Sequence, residues 1–446
     1  MNRIVPGTIP FEFTRWKGFT SPMSGHQQLQ RRLGVFDATS IGLGSMLGAG
    51  VFVAFAPAAG FAGNFLVLSV LVAGAVAYCN AVASAELAAR YPASGGTYVY
   101  GRKRLGEWPG FVAGWGFVTG KSASCAAMAL TFGNYLAPQY AVPVAVAAVV
   151  ALTGVNLLGI TRTALLTRIL LAVVLATLVF VAVASIIGPH PAGVPAGGTA
   201  PDGGAAAGSV SAGLGGVLPA AGLMFFAFAG YARIATLGEE VKDPAKTIPR
   251  AILAALAAAF GIYFVLALLL LNHLSPAGLA ATATPLLDAV RNSSLGAGAP
   301  IVQAGAAAAC LGALLALITG VGRTTLAMAR ERDLPGPLAR VGGKHTVPFV
   351  AELAVAAVVI VLLLTTDVMT VVGFSSFGVL IYYAVTNAAA YTLDEHPVHG
   401  PRWLNVTGFL GCLLLAFTLP AASVLGMAGV LAAGAAGRFL VLRLRR

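Results

Sequence analysis

Apolar residues in this chain fall into long runs separated by short polar segments. A helix rising about 1.5 Å per residue needs roughly 20 apolar residues to cross a hydrocarbon layer about 30 Å thick. Twelve runs approach that length, near residues 35–58, 64–89, 108–137, 141–158, 169–188, 214–236, 250–272, 299–322, 348–365, 368–392, 403–419 and 421–437. The pattern predicts an all-α membrane protein with 12 transmembrane helices. Two of the runs carry small residues at their centres: "IGLGSMLGAGVFV" (41–53) in the first and "FFAFAGYARIATLGEEV" (225–241) in the sixth.

Composition agrees with the pattern. Hydrophobic residues make up 58% of the 446-residue chain and charged residues 9%, too little polar surface to cover a water-soluble core. The opening 34 residues lack an apolar stretch ending in a small-residue cleavage site, so no removable signal peptide is expected and the first run stays as an anchor. All but three of the 27 Lys and Arg residues lie in the termini or in alternate loops, which predicts cytoplasmic termini. The exceptions are Lys121 and Arg233 inside spans and Arg291 in a loop of opposite parity. The net charge of +12 is therefore topological, and no nucleic-acid partner is expected. Cys79, Cys125, Cys310 and Cys412 lie in apolar runs without metal-like spacing and read as packing residues. The Gly/Pro/Ala-rich segment 189–213 reads as an extended external loop.

Gly42, Gly44, Gly48 and Gly50 allow two readings. Small residues four apart, such as Gly44 and Gly48, let membrane helices pack closely. Alternatively the helix unwinds in mid-membrane, where freed backbone groups are tolerated if they line a solvated cavity that receives a polar ligand. Such breaks come in pairs, and Gly230 in the sixth run is the matching candidate. Nucleotide-binding readings fail: no strand precedes the glycines, and "GWGFVTGKS" (114–122) has Trp115 where a phosphate-binding loop needs its first glycine. No cofactor is expected.

"GAGVF" (48–52), "AELAARYPASGGTYVY" (85–100), "FFAFAGYARIATLGEEVKDPAKTIPRAI" (225–252) and "AMARERDLP" (327–335), in that order, resemble the signature stretches of the amino acid/polyamine/organocation transporter superfamily. The resemblance runs from about residue 31 to 392. It implies a leucine-transporter-like fold with a five-plus-five inverted repeat, discontinuous helices 1 and 6, and alternating access. The organisation it implies is an N-terminal tail (1–34), a first repeat (35–188), the loop, a second repeat (214–392), and two additional helices with a basic tail (393–446). By similarity, the backbone N–H groups of Ala49 and Gly50 would hold a substrate carboxylate, beside Gly48. Carbonyls near Met46 and at Phe226, Ala227 and Ala229, beside Gly230, would hold its ammonium. Phe226 and Phe228 either cap the site or face lipid and helix, and Ser45 either faces the ligand or bonds its own backbone.

Lys121 lies near the centre of the third span, where a charge costs at least about 2.5–3.5 kcal/mol. Some relatives carry a lysine in span five where a sodium ion would otherwise bind, and an ungapped reading places Val174 there. Lys121 could supply that missing cation and titrate during coupling, select an acidic substrate, or bond helix ends. Arg233 could close the cytoplasmic path by pairing with Asp37 or Glu86, or snorkel to the surface, and Glu86, Glu239 and Glu240 are gate candidates at the inner face. No acidic residue flanks either break, which favours a neutral over a cationic side chain, whereas Lys121 favours an anionic one.

The function expected is secondary transport of amino acids across the cytoplasmic membrane, coupled to protons or by exchange. Thr324 and Thr325 leave a sodium site open, and polyamines or other organic amines are alternative cargo. A channel lacks its ring of charge. An intramembrane enzyme lacks its paired catalytic groups, since the six histidines lie in polar flanks or at span ends. The substrate, the coupling ion and the oligomeric state are not legible.

Overall fold

The computed structural model describes residues 33–91, 96–158, 164–187, 213–235, 237–238, 240–342, 347–395, 397–398 and 400–444. Most of the N-terminal tail and of the 189–213 loop, together with Glu239, lies outside them. Among the described residues the fold is all-helical, with only two isolated bridge pairs of extended backbone.

Helix occupies every apolar run. The first run forms α1 (Val35–Met46), α2 (Ala49–Val53) and α3 (Phe55–Ala62). Then come α4 (Leu66–Arg90), the short α5 (Gly96–Leu105), α6 (Glu107–Leu136), α7 (Ala141–Leu157) and α8 (Ala164–Ile187). The sixth run forms α9 (Val217–Phe228) and α10 (Ala232–Ala235). They are followed by α11 (Pro244–Ala281), α12 (Pro285–Arg291), α13 (Ala299–Arg330), α14 (Phe349–Thr365), α15 (Val368–Tyr391), α16 (Arg402–Thr418) and α17 (Ala421–Leu444). Among the described residues eight helical segments are long and apolar enough to cross a membrane, and α14, α16 and the segment Leu214–Phe228 are shorter apolar helices.

Helix ends extend past the apolar runs where polar residues continue the spiral. α11 runs six residues earlier and nine later than its run, so His273 lies buried within it rather than in a polar flank. Its one non-helical residue, Ser275 (φ 61°, ψ 161°), precedes Pro276, whose ring disfavours helical geometry in its predecessor.

The centre is built around α6, which packs on α13 and α15, and α4, which packs on α11. At Gly116 and Gly120 of α6 an added Cβ would lie 3.1 and 3.2 Å from carbonyl oxygens of α15, so the two helices touch backbone to backbone. The four cysteines are free and buried. The segments flanking the two broken runs are also tied. Leu33 donates to the Glu240 carbonyl (3.1 Å) and accepts from the Lys242 N–H (2.9 Å).

Candidate functional site

Both glycine-bearing runs are interrupted. After Met46, Leu47 (φ −77°, ψ 19°) and Gly48 (φ −67°, ψ −137°) leave helical geometry before α2 starts at Ala49. α2 passes into α3 through Ala54, which stays helical (φ −72°, ψ −26°). In the sixth run α9 stops at Phe228, and Ala229, Gly230 and Tyr231 form the turn into α10.

The interruptions meet. A Cβ added to Gly230 would lie 2.5 Å from both the Met46 nitrogen and the Ser45 carbonyl carbon, and one added to Gly50 would lie 2.6 Å from the Ala227 Cα. Glycine at these positions is what lets one main chain rest on the other. The close-packing reading applies to Gly48, whose Cβ would meet Ala313 of α13 at 2.7 Å, and not to Gly44, which has nothing within 4 Å.

A break frees carbonyls that need partners. The Tyr263 hydroxyl, from α11, reaches the Met46 carbonyl (2.7 Å) in one interruption and the Ala227 carbonyl (3.1 Å) in the other. Lys121, from α6, donates from Nζ to the Ala229 carbonyl at 3.1 Å. The Phe228 carbonyl accepts from the Gly230 N–H (2.9 Å). Of the four acceptors assigned by similarity to a substrate ammonium, Ala229 thus has a donor of its own within the protein, and Met46 and Ala227 share the one proton of the Tyr263 hydroxyl. The first N–H groups of α2, at Ala49 and Gly50, have no helical acceptor.

Beside the interruptions lies a cavity of about 480 Å³, a volume typical of small-molecule sites. Ser45, Met46, Gly50, Phe226, Ala229 and Gly230 line it at the breaks, and Lys121 and Ser124 line it from α6. Ser45 also bonds its own helix, Oγ donating to the Ile41 carbonyl at 2.8 Å. Phe228 is turned away and fully buried, its ring edge-on to Tyr263 at 5.0 Å and tilted against Phe260 at 6.4 Å.

Farther along the cavity stand Arg233, Glu240, Arg323, Arg330 and Glu331. Arg233 and Glu240 also line a second cavity of about 150 Å³, with Gly44 of α1, Val174 of α8 and Gly312 of α13. Asp37 is engaged by Arg168 of α8 and caps α1 through the Gly34 N–H (3.3 Å). Glu86, buried, accepts from the Gly400 N–H at 2.8 Å ahead of α16. Thr324 lines the main cavity and bonds the Gly320 carbonyl (3.2 Å), while the buried Thr325 hydroxyl has no hydrogen-bond partner among the described residues.

Two features escaped the sequence reading. Tyr263 was one; a hydroxyl within the apolar stretch "GIYFVLA" must find a partner, and that was the available signal. The other is a cluster on buried Asp333, which accepts from Tyr98 (2.8 Å), Arg102 (2.8 Å) and Arg438 of α17 (2.9 Å). Arg438 also lies over the rings of Trp108 and Phe111, 4.6 and 5.1 Å from their centroids. Burial, and then the Asp333 carboxylate beside it, push the Tyr98 hydroxyl far above the usual phenol range and keep it a donor.

The family model described as amino acid permease matches residues 33–434, and the chain belongs to that family. It is a membrane transporter and not an enzyme. An uncharacterized transporter of Mycobacterium tuberculosis is 56% identical over 409 residues, covering 92% of this chain and 91% of the relative. The branched-chain amino acid permease BcaP of Bacillus subtilis is 26% identical over 357 residues (74% and 73%). Cationic amino acid transporter 7, chloroplastic, of Arabidopsis thaliana is 29% identical over 389 residues (82% and 66%).

Proposed function

We propose that the chain is a secondary transporter that carries amino acids across the cytoplasmic membrane by alternating access, with both termini cytoplasmic. The observation that carries this reading is the meeting of two backbone interruptions at the wall of a 480 Å³ cavity. The Ala49 and Gly50 N–H groups, at the positive end of a half-helix, receive the carboxylate, and the unwound carbonyls around Ala229 receive the ammonium.

The twelve apolar runs are the twelve spans, ten of them in a five-plus-five inverted repeat. Packing supports this pairing, because several principal contacts recur when a helix is exchanged for its counterpart five runs away. α1 packs on α11 and α8, as α9 packs on α4 and α15. α6 packs on α15 and α14, as α13 packs on α8 and α7. The first repeat is 35–188, the second 214–392, and α16 and α17 are additions.

In this topology Arg323, Arg330 and Glu331 stand at the cytoplasmic mouth, so the conformation faces inward. The outer side is closed by Phe52 of α2 against Tyr135 of α6, ring centroids 5.5 Å apart, with the Tyr135 hydroxyl on the Phe52 carbonyl at 3.0 Å. Arg233 and Glu240 gate the inner path, with Glu239 adjacent in sequence. Four basic side chains against two acidic ones line the cavity, which favours a neutral or acidic substrate side chain over a polyamine. Val174 faces the second cavity, and Lys121 provides the buried cation that couples transport to protons or exchange.

Uptake by proteoliposomes of a panel of radiolabelled amino acids, under separately imposed pH and sodium gradients, tests this reading. Saturable uptake of at least one amino acid, with counterflow and no sodium requirement, is expected. Absence of uptake for every amino acid, or a linear channel-like flux, would overturn it.

A further inference from the structure

Lys121 differs from the other donors at the breaks because its ammonium is the same chemical group that an amino acid would bring. Its side chain is 6% exposed, lines the cavity, and places Nζ 3.1 Å from the Ala229 carbonyl, one residue beyond the end of α9. A carbonyl at the C-terminal end of a helix attracts a cation, and only one of two ammonium groups fits well there, since like charges at hydrogen-bonding separation disfavour each other. The Met46 and Ala227 carbonyls share the single proton of the Tyr263 hydroxyl, so of the three Ala229 is the one held by a charged donor.

We propose that Lys121 is a tethered competitor of the substrate: in the empty carrier its ammonium holds the Ala229 carbonyl, and the substrate's amino group takes that acceptor only when Lys121 leaves it. This rests on the amino acid reading of the site. The same bond ties α6 to the end of α9, so a ligand that displaces Lys121 also releases the sixth-run break from α6. Occupancy is thereby linked to freedom of the broken helix, without any contact between Lys121 and the substrate carboxylate.

Equilibrium binding to the purified carrier in nanodiscs tests the proposal. The probes are alanine, leucine, glutamate and lysine, each beside its desamino counterpart (propanoate, 4-methylpentanoate, glutarate and 6-aminohexanoate), on wild type, Lys121→Met and Lys121→Arg. A competitor holding the acceptor nine-tenths of the time weakens apparent affinity about tenfold. Lys121→Met is therefore expected to bind the preferred amino acid roughly tenfold more tightly than wild type does. Its affinity for the desamino counterpart should stay within about twofold, and Lys121→Arg should show no gain for either. Equal or weaker amino acid binding by Lys121→Met overturns the proposal. Should Lys121→Met not fold, the wild type alone decides. Its desamino counterpart is expected within about tenfold of the amino acid, and a larger preference for the amino acid overturns the proposal. If neither wild type nor variants bind these four or any other amino acid of the uptake panel, the amino acid reading itself falls, and the proposal with it.

Discussion

Replacing Gly230 with alanine probes the contact between the two interruptions. The added Cβ would sit 2.5 Å from the Met46 nitrogen and the Ser45 carbonyl carbon, and 2.6 Å from the Ser45 oxygen. Ordinary contact for such a carbon begins near 3.4 Å, so the two segments must separate by about 1 Å in a close-packed interior. All three atoms are main chain, and no side-chain rotation relieves the overlap. Overpacking of this kind costs about 1–3 kcal/mol, and the rigid surroundings place it toward the upper end. The separation would also pull the Met46 and Ala227 carbonyls away from the single Tyr263 hydroxyl that reaches both. Gly44→Ala is the matched control, because nothing lies within 4 Å of its Cβ and alanine is the better helix former by about 1 kcal/mol. Thermal unfolding and amino acid binding of the two purified variants make the comparison. Gly230→Ala is expected to lose stability and at least tenfold in affinity, with Gly44→Ala equal to wild type in affinity and at least as stable. Wild-type behaviour of Gly230→Ala, or equal damage from both, would refute the reasoning.

Tyr263→Phe removes the hydroxyl from two buried carbonyls and is expected to lower stability by about 1–3 kcal/mol, read by thermal unfolding. Unchanged unfolding would mean that the carbonyls find other donors. Asp333→Asn strips the charge from a buried carboxylate shared by Tyr98, Arg102 and Arg438. It leaves Arg438, itself 5% exposed, with the exposed Glu107 at 3.2 Å as its remaining counter-charge, so the loss is expected below the about 3–5 kcal/mol of a fully broken buried pair. Restoration of stability by a second change, Arg438→Met, checks that the loss arises from the weakened pairing of the buried guanidinium.

The helices were legible because bilayer length is written directly into apolar run length, and helix lies over each run. Their ends were not, because apolarity marks the hydrocarbon rather than the helix: α13 continues through Arg323 and Thr324 to Arg330, beyond its apolar run. The interruptions were legible from glycine and small residues in the middle of apolar segments. What fills them was not, since Lys121 and Ala229 are 108 residues apart and Tyr263 and Met46 are 217 apart. Periodicity along a helix carries no information about contacts at that separation. The same limit explains the gate. Asp37, Glu86 and Arg233 were grouped by charge and depth, and the bonds of Asp37 with Arg168 and of Glu86 with the Gly400 N–H span 131 and 314 residues. Phe226 and Phe228 likewise sit two residues apart, about 200° around the spiral, so only one of them faces the cavity.

The most direct measurement is an experimentally determined map of the carrier saturated with a transported amino acid. Ligand density is expected within hydrogen-bonding distance of the Ala49 and Gly50 nitrogens at one end and the Ala229 carbonyl at the other, with the Lys121 side chain moved off that carbonyl. Ligand density seated instead among Arg323, Arg330 and Glu331, with the interruptions empty, would contradict it.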